Sequence, residues 1–215
     1  MTNLFNAPRT IAVEGPLRVG KSTLAGLLAK RLKARLLVEP EDNPFLGRFY
    51  KQEPGTAFAA QMWFLMERYE RLCAAKQEQG VVEQVLVTDF IFAKDKLFAC
   101  LNLSDAELAT YERYYEKLRG EITTPELIVY LQAKPGVLRK RLKKRAAPSE
   151  RAVSEEYIER VAAAYEHFFF HYQGGSLLVV DTSEIDFVND ARHREQLLAR
   201  LEQPVHGTQY FRPQG

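Results

Sequence analysis

The sequence predicts a doubly wound α/β fold, a parallel sheet of five strands with helices on both faces. Two observations predict it. Short apolar runs recur along the chain, separated by longer segments of helical periodicity. The first run leads directly into a glycine-rich loop and then a helix. The strand-like runs are Ile11–Glu14, Arg35–Val38, Val85–Thr88, Leu127–Leu131 and Leu177–Val180. They are short and apolar throughout, as strands covered on both faces of a parallel sheet must be. Strands alternating with helical crossovers give a parallel, right-handed arrangement.

The first strand, Thr10-Ile11-Ala12-Val13, precedes Gly15-Pro16-Leu17-Arg18-Val19-Gly20-Lys21-Ser22, a complete GxxxxGK[ST] phosphate-binding loop. Thr23 and the residues to Lys30 then read as a helix, which is the context the motif requires. The glycines let backbone N–H groups fold around a polyphosphate, and the helix N-terminus adds a favourable dipole. Lys21 is expected to reach the β- and γ-phosphates of a nucleoside triphosphate, and the Ser22 hydroxyl to sit on Mg2+.

The second strand delivers Glu39-Pro40. Ligand sites of open α/β sheets lie beyond the carboxyl ends of strands, so Glu39 is expected over the pocket, where it can accept a hydroxyl proton. Glu41 and Asp42 read as solvated loop acids. Phe58, Met62, Leu65, Met66, Tyr69, Leu72 and Cys73 recur at helical spacing, and Gly80 is expected to close that helix. The third strand ends in Asp89, placed as a second Mg2+ ligand. Ser104 with Glu107 forms a capping box for a helix to about Leu118. After the fourth strand, Arg139 to Arg145 carries six cations in seven residues, a run that by itself reads as a solvated helix face or a nucleic-acid patch but that in a P-loop kinase stands at the position of the lid over the triphosphate. Arg141 and Arg145, spaced i,i+4, can aim at one target, and charge on a transferring phosphoryl group is where arginines contribute most. Ser154 opens a helix to about His171, and Asp190 to Glu202 forms another. Pro204 to Gly215 is expected to be a loosely ordered tail.

Composition narrows the function class. The 215 residues suit a single domain spanning 1–215, and 30 basic against 28 acidic residues favour neither nucleic acid nor an anionic membrane as partner. Cys73 and Cys100 lack metal or redox spacing, the segment Met1 to Pro8 is too short and polar for a signal peptide, and no apolar run could span a bilayer. A cytoplasmic protein is expected. His167 and His171 share a helix face but lack an acid between them, so they read as ordinary histidines rather than zinc ligands.

Over roughly Ile11 to Tyr172 the chain resembles the deoxynucleoside kinase family, most closely its bacterial deoxyadenosine, deoxyguanosine and deoxycytidine kinases. The resemblance rests on motifs in order: the phosphate loop, Glu39-Pro40 with Asn43-Pro44-Phe45, Phe49-Tyr50, Gln61 to Arg68, Phe92 to Leu103, and the basic lid beginning at Leu138. It implies a P-loop kinase fold that phosphorylates the 5′-hydroxyl of a deoxynucleoside with ATP and Mg2+, acting as a homodimer. Glu39 aligns with the family's catalytic base, and Tyr50 and Glu150 with residues that hold the 3′-hydroxyl. Gln61 aligns with the glutamine that reads the nucleobase edge. Arg68, two helical turns further on, lines the base and sugar pocket. A third lid arginine found in many relatives is Ala147 here.

One departure is marked. Relatives end the third strand with an acid followed by Arg-Ser, the arginine contacting the 5′-hydroxyl and phosphates, whereas this chain has Thr88-Asp89-Phe90. Arg18, Arg68 or Lys94 could supply the missing charge, and Arg68 is the favoured substitute. Lys94 also stands where the family has an acid that helps to read the base, a role Asp95 restores if the register shifts. Two other functions compete: a nucleoside monophosphate kinase, which would need cations rather than Glu39 at the acceptor, and a nucleotide-binding module without catalysis.

Overall fold

The structure, a computed structural model, describes residues 10–79, 84–145 and 148–214. Its sheet holds six parallel strands: β1 (Thr10–Glu14), β2 (Arg35–Leu37), β3 (Leu86–Thr88), β4 (Leu127–Gln132), β5 (Ser176–Asp181) and β6 (Thr208–Phe211). They lie in the order β2-β3-β1-β4-β5-β6. The five expected strands are all present, within a residue or two at their ends.

The sixth corrects two expectations at once, the strand count and the loose tail. Thr208–Phe211 pairs in parallel with β5, from Leu177 against Thr208 to Val180 against Phe211. Its reason is an alternation only four residues long. Phe211 packs against the core while Tyr210 stays exposed, and the Arg200 guanidinium donates to the Gln209 side chain. So short a run, set among polar residues, carries little sequence signal.

Eight helices are described: α1 (Lys21–Leu32), α2 (Leu46–Tyr50), α3 (Thr56–Gln79), α4 (Lys94–Asn102), α5 (Asp105–Arg119), α6 (Pro135–Arg145), α7 (Glu155–Phe170) and α8 (Ala191–Leu201). A 3-10 turn, Pro148–Ala152, links α6 to α7. The expected caps form. Ser104 and Glu107 make the capping box, Ser154 Oγ accepts from Tyr157 N at 3.1 Å, and Asp190 caps α8. Gly80 and Ala147 lie outside the described residues, as do Met1 to Pro8.

The pleat sends alternate residues of β4 to opposite faces. Leu127, Val129 and Leu131 join α1, α6 and α8 in one core; Ile128 and Tyr130 meet Val161, Tyr165 and Phe169 of α7 on the other face. A third cluster joins α3, α4 and α5 through Leu65, Ala99, Tyr111 and Tyr115, with Phe92 just before α4. The carboxyl ends of the strands therefore open between α3 and α4 on one side and the lid on the other. No helix among the described residues is long and apolar enough to cross a membrane.

Candidate active site

A cavity of about 980 Å³ lies beyond the carboxyl ends of the strands. Its floor is the phosphate loop. Gly15 (φ 149°) and Gly20 (φ 111°) hold backbone angles that side chains rarely adopt. A Cβ on Gly15 would overlap the Leu131 carbonyl oxygen, and one on Gly20 would come within 2.5 Å of Phe187. The buried Glu14 carboxylate braces the loop, accepting from Gly15 N at 2.9 Å, Ile91 N at 3.0 Å and the Tyr165 hydroxyl at 2.9 Å. Lys21 Nζ donates to Pro16 O at 3.2 Å. Burial pushes the Lys21 ammonium below its ordinary pKa, and the nearby Lys94 charge adds to the effect. Ser22 and Thr23 begin α1 exposed on the cavity wall.

Glu39 stands two residues past β2, its backbone N–H donating to Asp89 Oδ1 at 2.6 Å. That bond ties the end of the second strand to the end of the third. Both carboxylate oxygens of Glu39 meet cations: Arg68 Nε donates to Oε1 at 3.1 Å, and Lys94 Nζ to Oε2 at 2.6 Å. Burial pushes this carboxyl up, but Lys94, Arg68 and Lys21 outweigh it and hold the group well below the usual carboxylate range.

Arg68 is itself clamped. Its far side donates to Asp95, a fully buried carboxylate that also accepts from the Tyr111 hydroxyl at 2.8 Å and from the Gln61 amide. Gln61 Nε2 reaches the Asp95 backbone carbonyl as well, at 3.0 Å. Since both Asp95 partners are acceptors, the amide nitrogen must face them. Gln61 and Arg68 thus share one face of α3, as their spacing predicts. Asp95, not Lys94, is the acid beside them, which fits the shifted register.

Tyr50 and Tyr157 pack edge to face on the opposite wall, 6.0 Å between centroids. Burial, then Tyr157, Glu150 and Glu39, raise the Tyr50 pKa well above that of a free tyrosine. Glu150, on the 3-10 turn, accepts from Arg18 Nε at 2.8 Å, so a phosphate-loop arginine reaches the lid. Arg141 donates to Val19 O (3.3 Å), Thr182 Oγ1 (3.1 Å), Thr182 O (2.7 Å) and Ile185 O (3.0 Å). It was expected to aim at a phosphoryl group together with Arg145. Here it joins α6 to the loop after β5, and the Arg145 side chain lies outside the described residues. Lys143 and Arg139 pair with Glu155 at the surface.

One cavity therefore gathers Glu39, Tyr50, Gln61, Arg68, Asp89, Arg141 and Glu150 with the phosphate loop from Pro16 to Thr23; Gly15 lies beneath it. Sequence reasoning missed Tyr157, Asn102 and Phe187 on its walls, and the contact of Lys94 with Glu39. The Tyr157 hydroxyl accepts from Asn102 at 3.2 Å, and burial pushes its pKa up to about 12. Lys94 carried a signal, a cation directly beside the acid Asp95. The two tyrosines of α7, eight residues apart and so on one face, carried another. His167 and His171 lie together at the surface, their rings tilted and 4.5 Å between centroids, and no group of three or more His, Cys, Asp or Glu among the described residues could hold a metal by itself.

Comparison with known proteins agrees with this geometry. The family profile described as deoxynucleoside kinase matches residues 11–206. The deoxyguanosine kinase of Bacillus subtilis (strain 168) is 30% identical over 206 residues, covering 94% of this chain and 100% of that protein. The deoxyadenosine/deoxycytidine kinase of the same organism is 28% identical over 208 residues, covering 93% and 94%. Among solved structures, the deoxyadenosine kinase from M. mycoides with bound dATP superposes with a TM-score of 0.76 at 26% identity, covering 91% of this chain and 100% of that one. The phosphate loop, the carboxylate past the second strand and the profile match over most of the sequence lead to one conclusion: this chain belongs to the deoxynucleoside kinase family.

Proposed function

We propose that the protein transfers the γ-phosphoryl group of ATP to the 5′-hydroxyl of a deoxynucleoside, a reaction of nucleotide salvage. The observation that carries this reading is Glu39, a carboxylate held at the end of the second strand in the same cavity as the phosphate loop. The donor lies along the loop with Lys21 on its terminal phosphates, and the nucleoside fills the space among Tyr50, Gln61, Arg68 and Glu150. In the reaction a bond forms between O5′ and the γ-phosphorus, and the bond from that phosphorus to the β–γ bridging oxygen breaks. The hydroxyl proton passes to Glu39, and ADP leaves with the bridging electron pair. Tyr50 and Glu150 grip the 3′-hydroxyl and so set O5′ in line.

Mg2+ fits the residues present. Asp89 is buried, its carboxylate accepts one hydrogen bond among the described residues, through Oδ1, and Ser22 offers a hydroxyl at the start of α1. One carboxylate and one hydroxyl, completed by phosphates and water, is a donor set that suits this ion. When bound, it neutralises charge on the β- and γ-phosphate oxygens. The protein's own part is to orient the two substrates and exclude water as the lid closes. An anionic acceptor such as a nucleoside monophosphate would meet the Glu39 carboxylate, which favours a neutral nucleoside. The same proposal takes the working form as a single-domain chain in a cytoplasmic homodimer, supported by the family and the nearly balanced charge.

The test is activity with ATP and a panel of the four deoxynucleosides, with deoxynucleoside monophosphates as controls. Formation of a 5′-monophosphate from at least one nucleoside is expected. Turnover of the monophosphates alone would replace this reading with a monophosphate kinase. ATP binding without any turnover would leave a nucleotide-binding module.

A further inference from the structure

Three cations border the acceptor end of the cavity, and their bonding separates them. Arg18 is turned away, onto the lid residue Glu150. Arg68, only 3% exposed, is fixed between Glu39 and Asp95, with its guanidinium 4.5 Å over the Phe64 ring. It cannot turn toward a phosphate without leaving the Asp95 carboxylate buried and unpaired, which is strongly unfavourable. Lys94 is different. It opens α4 at 4% exposure, with Nζ 2.6 Å from Glu39 Oε2 and 3.7 Å from Glu14 Oε1. Its partner Glu39 keeps Arg68 on the other oxygen, and Glu14, the longer of its two contacts, keeps three hydrogen-bond donors and the nearby Lys21 charge, so Lys94 can leave Oε2 at less cost than Arg68 can leave Asp95. A lysine is also a point charge on a flexible stem, whereas arginine is a rigid fork. The residue directly after Asp89, Phe90, is 0% exposed in the core and offers no charge there.

We propose that Lys94 is the acceptor-side catalytic cation. The arriving 5′-hydroxyl takes Glu39 Oε2, and the displaced ammonium turns onto the transferring phosphoryl oxygens, across from Lys21. No covalent bond to Lys94 forms or breaks. It keeps its protons and donates hydrogen bonds, while the hydroxyl proton goes to the oxygen that it vacated. A cation whose contact is made in the transition state and not in the empty enzyme accelerates the chemical step rather than ground-state binding. The inference rests on the phosphoryl-transfer reading above.

The test is steady-state kinetics on the full chain. Lys94→Met is expected to lower kcat by about 10²-fold while the KM values for nucleoside and ATP change by less than about threefold. Lys94→Arg should recover about tenfold of that loss or more. Lys94→Gln, which keeps a donor to Glu39 but no charge, should fall as far as Lys94→Met, and it carries the test if the methionine variant does not fold. In a Glu39→Gln background, Lys94→Met should still lower kcat by a further tenfold or so, because its target is the phosphoryl group and not only the base. Wild-type activity with kcat of the neutral variants unchanged within about threefold would overturn the role of Lys94 alone. Absence of a further loss in the Glu39→Gln background would also overturn it, reducing Lys94 to a residue that positions the base. A wild type inactive on every deoxynucleoside would overturn the function and this role together.

Discussion

The acceptor side and the lid side of the cavity use the same residue types in opposite ways. Around the acceptor, the buried Arg68, Asp95 and Lys94 and the partly buried Glu39 are paired with one another, side chain to side chain. Around the donor, Arg141 donates to three backbone carbonyls and a hydroxyl, and Arg18, 30% exposed, holds the lid's Glu150. Buried, mutually satisfied charges resist rearrangement, whereas bonds to neutral carbonyls exchange readily for the stronger bonds that phosphate oxygens offer. The Arg68, Asp95 and Glu39 part of the acceptor wall is thus set before substrate arrives, with Lys94 its exchangeable member, and the Arg141 contacts are of the kind a triphosphate can replace. The difference teaches that one charge type can build a rigid wall or a movable clamp, according to what it is paired with.

Four measurements can break or sharpen that contrast. The largest effect is expected from Glu39→Gln, which keeps the shape of the base and removes its function. Its kcat should fall by about 10²–10⁴, equivalent to roughly 3–5 kcal/mol, with a modest change in nucleoside KM. Near wild-type turnover would move the base elsewhere, with Glu41 and Asp89 as the next carboxylates in line. Asp95→Asn comes next, since it leaves the Arg68 guanidinium buried with half its countercharge. A loss of about 3 kcal/mol in urea unfolding is expected. A change below about 1 kcal/mol would show that the acceptor wall is not rigid.

The third measurement probes the seam between the two sides, where Tyr50 of one faces Glu150 of the other. Nucleosides lacking the 3′-hydroxyl should lose about tenfold or more in kcat/KM, the equivalent of about 1–3 kcal/mol for polar groups left unpaired. Tyr50→Phe should shrink that penalty, and equal values for both substrate types in the wild type would remove the pair from the sugar site. Smallest of all should be Arg18→Ala, because its ion pair is partly exposed. Unfolding free energy should shift by about 1 kcal/mol or less. A larger shift would mean that the lid is fastened as firmly as the acceptor wall.

What was legible in the sequence tracks how local each cause is. The phosphate loop could be read outright, because its eight residues carry their whole geometry in fixed glycines and a helix start. Glu39 could be placed by a rule about strand ends, which needs only the order of elements. Tyr50, Gln61, Arg68 and Glu150 became readable only through the family, since each looks like a solvated helix or loop residue until the pocket wraps around it. The contact of Lys94 with Glu39 joins positions 55 residues apart, and no periodicity encodes it. Arg141 illustrates the same limit from the other direction: the basic run marked it as charged, but three of its four acceptors are backbone carbonyls of distant loops, invisible in side-chain chemistry. The sixth strand escaped because pairing with β5, not its own composition, makes it a strand.

That strand has a consequence for how the protein is made. In a chain synthesised from its N-terminus, β5 emerges before α8 and β6, carrying the apolar run Leu177-Leu178-Val179-Val180 with one row of backbone groups unpaired. A bare, apolar strand edge is a template for pairing with another chain. Until the crossover folds back, the folding chain exposes such an edge, and Thr208–Phe211 closes it. The sixth strand therefore also replaces a wholly apolar edge, Leu177 to Val180, with a short and more polar one, Thr208 to Phe211.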